Sequence, residues 1–446
     1  MNTEIKHIAV LGAGLVGTLL SIYLKKRGYN VDLFEKRDDM RLSSSDSGRS
    51  INLALSRRGI KALKDIDVLD EVEEIMLPMK GRMMHSLDGN LTFQPYGKEG
   101  QYINSVSRAN LNKILLNRAE KSGVEIHFGH SCKTVDIEET KVTFESPNGK
   151  EKTLEFDLVL GADGAFSKLR QAMMKSDRFN YNQYYIPHGY KELTIPPTED
   201  GEFAIEPNAL HIWPRGQYML IALPNLDKSF TCTLFFPFEG QPSFESLQTP
   251  QQVLHFFKNT FPDSLPHLKN IQQEYFENPT SSLVTIKCEP WVKNNCVLIG
   301  DAAHAIVPFY GQGMNAGFED CFELNVLLDK YEDDWEKVLE DYQNLRKSDG
   351  DAIADLALHN FVEMRDLVAD DKFLIQKKIE AKLHDLYPEK WMPLYSMVTF
   401  SDLRYSEACE IGMKQQRIMD EVMQQPDVLE NWENLNLEQI VNKLDQ

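Results

Sequence analysis

Residues 7–35, HIAVLGAGLVGTLLSIYLKKRGYNVDLFE, decide the fold. His7 to Leu11 is a short β-rich run, and Gly12-Ala13-Gly14-Leu15-Val16-Gly17 follows it at once. An apolar helix then runs through Leu24 and stops at Gly28, and Val31 to Phe34 makes a second strand closed by Glu35. The order is strand, GxGxxG, helix, strand, acid, with Glu35 eighteen residues after Gly17. Gly12, Gly14 and Gly17 let the backbone approach a pyrophosphate, the helix N-terminus stabilises its charge, and Glu35 suits ribose hydroxyls. A glycine-rich turn with no ligand is the competing reading, and the order of the five parts favours a dinucleotide site.

Two further strands end in the same way. Phe156 to Leu160 runs into Gly161-Ala162-Asp163-Gly164, and Cys296 to Ile299 runs into Gly300-Asp301. The second of these opens GDAAHAIVPFYGQGMNAGFED, residues 300–320. Asp301 can accept a hydrogen bond from a sugar hydroxyl, and Pro308 breaks the first helical turn. Gly311, Gln312 and Gly313 allow close backbone approach, and Met314 to Asp320 starts a helix whose free N–H groups face an anion or an electron-rich ring. An ordinary strand-loop-helix connection remains the alternative for this stretch taken alone.

Between these junctions, Ser43 to Ser50 reads as a polar, flexible loop, and Ile51 to Ser56 leads into a helix through Lys64. Ser107 to Lys121 has helical spacing, and the runs between Val124 and Phe156 around Pro147-Asn148-Gly149 suit a meander or hairpin. From Tyr181 to Phe238 the aromatic-rich alternation predicts an antiparallel sheet, with a helix at Gln251 to Asn259 lying on it. After Gly317 the pattern is helical through Leu345, then Asp355 to Val368 and Phe373 to Leu386, with a break at Pro388 and Pro393. The expected fold is α/β: a Rossmann-like unit over 1–180 and 281–345, an inserted antiparallel sheet over 181–280, and a helical region over 346–446.

The chain of 446 residues exceeds a single ordinary core, and 42% hydrophobic residues suffice to fill two joined ones. Against 68 Asp plus Glu stand 48 Lys plus Arg, a net charge of −20 that argues against nucleic acid or an anionic membrane as partner. One local arginine can still bind an anionic small molecule. Cys132, Cys232, Cys288, Cys296, Cys321 and Cys409 lie scattered without a CxxC pair, as in a reduced, cytoplasmic protein. The chain enters its first strand without a signal peptide, and no apolar run approaches a bilayer span of about twenty residues. His127 and His130 show no third ligand, so no metal site is expected.

The three glycine junctions in this order, with a sheet between the second and third, resemble the single-component FAD-dependent aromatic hydroxylases over His7 to Lys330. The resemblance implies that the first junction holds the ADP half of FAD. The middle one would lie near FAD and a transient NADPH site, and the last near the ribityl-pyrophosphate. Further runs are GRSINLALS from Gly48, GRMMHSLDG from Gly81, SVSRANLN from Ser105, HIWPRG from His211, HNFVEMRD from His359 and PLYSMVTFS from Pro393. These are similar to the branch of that family whose substrate is L-kynurenine. Its eukaryotic members carry a C-terminal membrane anchor, whereas this chain finishes on the polar NLNLEQIVNKLDQ.

The resemblance assigns the substrate's carboxylate to Arg82, Tyr96, Asn360 and Tyr395, a set whose guanidinium, phenols and amide suit it chemically. Phe309 and Tyr310 would line the pocket beside the flavin, with Leu223, Phe235, Met364 and Thr399 as further walls. For FAD it selects Gly12, Gly14, Val16, Gly17, Glu35, Lys36, Arg37, Ala54, Arg108, Asp163, Asp301 and Gly313, with Met314 and Asn315 meeting the ring. The implied reaction uses NADPH and O2, passes through a flavin hydroperoxide, and requires orientation more than acid–base side chains. Hydroxylation of another aromatic acid stays open at this level, as does a flavin-binding sensor or interaction module without turnover.

Overall fold

The computed structural model describes residues 5–42, 52–97, 100–364 and 371–445. The polar stretch Ser43 to Ser50 and the last residues of the helix expected to run to Val368 lie outside the described residues. The first sheet has six strands in the order Val292–Lys293, Cys296–Leu298, Leu158–Gly161, His7–Leu11, Asn30–Glu35, Glu125–Phe128. All its pairings are parallel except that of the short edge strand 292–293. Its four inner strands are buried on both faces, so Ile8, Val10, Leu33, Leu160 and Val297 are apolar without alternation. Leu15–Lys26 packs on this sheet, and Gly313–Lys330 packs on that helix in turn. The three glycine junctions therefore open at the carboxyl ends of adjacent parallel strands, where α/β sheets bind ligands.

Ser131–Asp136, Lys141–Glu145 and Glu151–Glu155 form the expected meander, turning at Gly149 with φ +75°. Asn52–Leu55, Ile103–Ser107 and Met76–Met79 make a small sheet between the larger two. The second large sheet has seven strands, Thr280–Glu289, Asn180–Ile195, Phe230–Pro237, Tyr218–Pro224, Ala209–Arg215, Gly81–His85 and Leu91–Pro95. Thus 81–85 and 91–95, within the stretch assigned from sequence to the first unit, join this sheet, and 81–84 pair in parallel with 209–212. Strand 180–195 carries a register shift between Tyr185 and Gly189, which accommodates Pro187 without a ladder N–H.

The two faces of this sheet have different covers. Leu193, Leu220, Ala222, Leu234 and Phe236 pack under Phe256 and Phe257 of the helix Pro250–Thr260. Met219 and Phe235, one position out of phase, pack against Phe309, Phe361 and Met397. Each such aromatic side chain contributes roughly 1.5–3 kcal/mol on burial. The sheet's second face, which carries the substrate-side residues, is thereby sealed by helices from the end of the chain.

Trp335–Val362 is one helix of 28 residues, where the sequence suggested a break between Leu345 and Asp355. Gly350 does not end it, because a Cβ there would lie 2.8 Å from the Trp291 ring: the glycine marks a close approach. Leu394–Phe400 and Tyr405–Met423 follow, and Ile379, Leu383, Trp391, Met419 and Val422 form a separate apolar cluster. No helix among the described residues is long and apolar enough to cross a membrane.

Candidate functional site

A cavity of about 450 Å³ runs from the first glycine turn to the second sheet. At its near end the glycines differ in what they face. A Cβ on Gly12, which has φ +98°, would sit 2.6 Å from the Ala162 carbonyl oxygen, and one on Gly17 only 2.0 Å from that of Gly12. A Cβ on Gly14 would meet nothing within 4 Å, so the open side of the turn is at Gly14, on the cavity wall. Glu35 Oε2 accepts from the Ala13 N–H at 3.1 Å, and Oε1 accepts from Arg37 Nε at 2.8 Å. Burial alone would raise the Glu35 carboxyl, but these hydrogen bonds bring it below its ordinary value. Glu35 thus pins the turn, with Arg37 as its partner, while Lys36 is exposed away from the cavity.

Val16, Ala54, Arg108, Asp301, Gly313 and Met314 line the same half of the cavity. Asp163 lies behind it: Oδ2 accepts from the Lys168 N–H at 2.6 Å, while Oδ1 is buried with no partner among the described residues. Burial raises this carboxyl. Asn315, expected to meet a flavin ring, has its side chain committed elsewhere. Its Oδ1 accepts from the Ser56 N–H at 3.0 Å, and its Nδ2 donates to the carbonyls of Ala54 at 2.8 Å and Gly311 at 2.9 Å. A fully buried amide satisfies the nearest orphaned backbone groups, and here that ties strand 52–55 to the helix start. The open turn, the unpartnered Asp163 oxygen and the helix N-terminus beside Met314 form a donor and acceptor set that fits FAD.

The far end of the cavity holds Arg82, Tyr310 and Tyr395. Tyr395 stacks between Tyr96, at 5.4 Å between ring centroids, and Tyr310, at 5.5 Å. The Arg82 guanidinium lies 4.8 Å from the Tyr395 ring and 5.6 Å from that of Tyr96. Burial acts to lower the Arg82 pKa, but the phenols of Tyr395 and Tyr96 and the Glu363 carboxylate outweigh it. Arg82 Nε and the Tyr96 hydroxyl are buried with no hydrogen-bond partner among the described residues. A cation held among phenols with unsatisfied donors has the chemistry that pairs with a carboxylate.

Between the ends, Leu223, Phe235, Phe309 and Met364 line the wall, as the sequence suggested. Tyr190 and Ile221 line it as well and escaped sequence reading; their place in period-two strands is the one signal that could have exposed them. Two residues expected at the site, Asn360 for the carboxylate and Thr399 for the wall, sit otherwise. Asn360 donates from Nδ2 to the Phe309 carbonyl at 2.6 Å, so its amide anchors the wall, and it is not on the cavity surface. Thr399 is fully buried behind Tyr395 and is not on the cavity surface. His127, taken as structural, donates from Nε2 to the Asp32 carboxylate at 2.9 Å, and His7 Nε2 donates to the same carboxylate at 2.6 Å.

The turn at Gly300 rests on groups the sequence did not single out. Asp320 Oδ2 accepts from the Gly300 N–H at 3.0 Å and pairs with His304 Nε2 at 2.6 Å, and its Oδ1 accepts from Arg346 Nε at 2.8 Å. Burial alone would raise Asp320, yet the charges of His304 and Arg346 hold it at about 2.

A family profile described as FAD binding domain matches residues 6–357. The chain is 50% identical to the kynurenine 3-monooxygenase of Christiangramia forsetii over 98% of each sequence. It is also 50% identical to that of Sus scrofa over 90% of this chain and 85% of the relative. Among solved structures, 2-methyl-3-hydroxypyridine-5-carboxylic acid oxygenase aligns with a TM-score of 0.69 at 21% identity, over 82% of this chain and 94% of the other. Pseudomonas aeruginosa PqsL in complex with 2-aminobenzoylacetate aligns with a TM-score of 0.66 at 19% identity, over 82% and 97%. At those identities the structures establish the shared fold.

Proposed function

We infer that this chain, which belongs to the FAD-binding-domain family and within it to the kynurenine 3-monooxygenases, hydroxylates L-kynurenine to 3-hydroxykynurenine with NADPH and O2. Arg82 carries this reading, being a buried guanidinium whose Nε has no hydrogen-bond partner among the described residues and seated across the cavity from the glycine turn. Its guanidinium takes the substrate carboxylate, and the Tyr96 and Tyr395 hydroxyls complete the hydrogen bonds. Phe235, Phe309 and Leu223 enclose the ring and exclude water. FAD, when bound, supplies hydride acceptance and oxygen activation. Gly14, Val16, Ala54, Arg108, Asp163 and Asp301 would hold it, with Met314 at the helix start beside its ring.

The substrate's own amino group activates the neighbouring ring carbon. The chain's task is then to fix that carbon in place, and a charge anchor at one end with apolar walls along the ring does so. On this reading the cofactor unit spans 1–179 and 290–345, the sheet 180–289 instead of 181–280, because strand Thr280–Glu289 pairs with Asn180–Ile195, and the helices 346–446. Strands 81–85 and 91–95 carry Arg82, and with it the neighbouring Tyr96, into that sheet. Scattered free cysteines support a cytoplasmic setting.

The test is product formed per NADPH consumed. Kynurenine should accelerate NADPH oxidation and yield 3-hydroxykynurenine, and a protein that does neither refutes the assignment. Arg82→Met removes one partner of a buried charge pair, at a cost of about 2–4 kcal/mol, and so should lower kcat/KM for kynurenine roughly 30- to 1,000-fold. An Arg82→Met enzyme with wild-type kcat/KM would remove the carboxylate anchor from the mechanism.

A further inference from the structure

The reaction as described leaves Arg58 unused, although it is an arginine 3% exposed on the helix Arg57–Asp65. Its surroundings join the two ends of the cavity through the protein interior. Arg58 Nε donates to the Val398 carbonyl at 3.1 Å, one terminal nitrogen donates to the Leu403 carbonyl, and the other pairs with Glu319. Its guanidinium lies 4.0 Å from the Tyr405 ring. Val398 is near the C-terminal end of the short helix Leu394–Phe400, where carbonyls lack intrahelical donors and a cation is stabilising. That helix carries Tyr395.

The other side of Arg58 leads back to the cofactor turn. Glu319 also pairs with Arg346 at 2.9 Å, and Arg346 binds Asp320, which holds the Gly300 N–H. Asp349 continues the chain: it pairs with Arg346 at 3.0 Å and Arg404 at 3.1 Å and accepts from Ser406 Oγ at 2.7 Å. Tyr405, beneath the Arg58 guanidinium, donates to Gln312 Oε1 at 2.9 Å, and Gln312 precedes the helix Gly313–Lys330. The basic groups Arg58, Arg346 and Arg404 therefore alternate with Glu319, Asp320 and Asp349. A buried network of this kind contributes little net stability but fixes one arrangement, because leaving any member unpaired is costly.

We propose that Arg58 is a positioning residue for the hydroxylation: by clamping the carbonyls of Val398 and Leu403 onto Glu319, it sets Tyr395 opposite Arg82 and so fixes the substrate ring relative to the cofactor. The inference rests on the substrate reading above, but its mechanical part does not. A lysine keeps the charge and cannot reach Val398, Leu403 and Glu319 together, since a guanidinium has a planar fork of donors and an ammonium is one compact point.

Two measurements on the FAD-loaded protein test it, using Arg58→Lys, with Arg58→Met as the stronger change. The first is amide hydrogen exchange without substrate. Residues 394–403 should exchange faster in both variants, while 7–35 keep wild-type protection. The second is steady-state turnover. KM for L-kynurenine should rise roughly 10- to 100-fold, the scale of a 1 Å misplacement. Hydroxylated product per NADPH should fall, while FAD content and the visible spectrum stay as in the wild type. Unchanged exchange at 394–403 in Arg58→Lys overturns the clamp whatever the substrate is. Altered exchange with unchanged KM and unchanged product yield overturns its role in positioning. If Arg58→Met fails to fold, Arg58→Lys alone decides. Failure of the wild-type enzyme to hydroxylate kynurenine refutes the substrate reading and leaves the exchange result to stand by itself.

Discussion

Gly14 and Gly17 are three positions apart and demand opposite responses to the same mutation. Gly14 has φ −75° and ψ −175°, a conformation open to any residue, and its Cβ would project into empty space. Alanine there restricts the unfolded chain and should stabilise the FAD-free protein by about 0.4–1 kcal/mol. The same methyl fills the cradle, so FAD affinity should fall; thermal melts with and without added FAD show both effects. A Cβ at Gly17 would lie 2.0 Å from a backbone oxygen that cannot move, and Gly17→Ala should yield little soluble protein. His211 offers a pH signature at the same scale. Its Nε2 lies 2.7 Å from the Glu206 carbonyl oxygen and its Nδ1 lies 2.8 Å from His85 Nε2. Burial first, with the neighbouring His85, pushes its pKa down to about 4. The unfolded chain takes up this proton below a pKa of about 6.5 and the folded chain does not until about 4. Stability is therefore full above pH 6.5 and declines by about 3 kcal/mol in total as pH falls to 4. His211→Gln, which can still donate to Glu206 and accept from His85, should flatten that decline in urea titrations at pH 7 and pH 4.5.

Among the elements, the helix Trp335–Val362 shows packing overriding propensity. Gly350 at its middle should cost about 1 kcal/mol relative to alanine by helix propensity. A methyl at that point would press on Trp291 ring atoms at 2.8 and 3.0 Å and on the His304 Cβ at 3.1 Å, all within a packed interior. Overpacking of this kind costs about 1–3 kcal/mol. Gly350→Ala should therefore destabilise in equilibrium unfolding, and a stabilised variant would show that Trp291 has room to yield. The same helix marks the limit of sequence reading. The strand, glycine turn and acid of residues 7–35 were legible because the chemistry is local and its order is fixed. Arg82 and Tyr395 were legible through their motifs. Strand 81–85 was not legible as part of the second sheet, since its parallel partner 209–212 lies more than a hundred residues away in sequence. The amides of Asn315 and Asn360 were read as ligand-facing, but which way a buried amide turns depends on the backbone carbonyls that tertiary packing brings to it. Asp320, which nothing local in the sequence singles out, is fully buried, because His304 and Arg346 arrive from two other elements.

Across the molecule, the cavity is bounded by groups from both large sheets and from the last third of the chain: Gly14 and Asp301 from the first sheet's junctions, Arg82 and Phe235 from the second sheet, Tyr395 from the terminal helices. FAD bound there touches structure on several sides and has no purchase on the unfolded chain, so it stabilises by mass action, about 2.7 kcal/mol at a hundredfold excess over Kd. Removing it should lower the melting temperature, and the loss should be uneven. Slower exchange on adding FAD back should appear at 12–17, at 52–56 and at 300–316, the segments that form the cofactor half. The cluster around Ile379, Trp391 and Met419 has its own apolar packing and contributes no residue to the cavity wall. It should exchange at the same rate with and without FAD. Protection spreading equally into that cluster would mean that the terminal helices fold as one cooperative unit with the cofactor sheet, and the picture of a lining assembled from separately packed bodies would then give way to that of a single core.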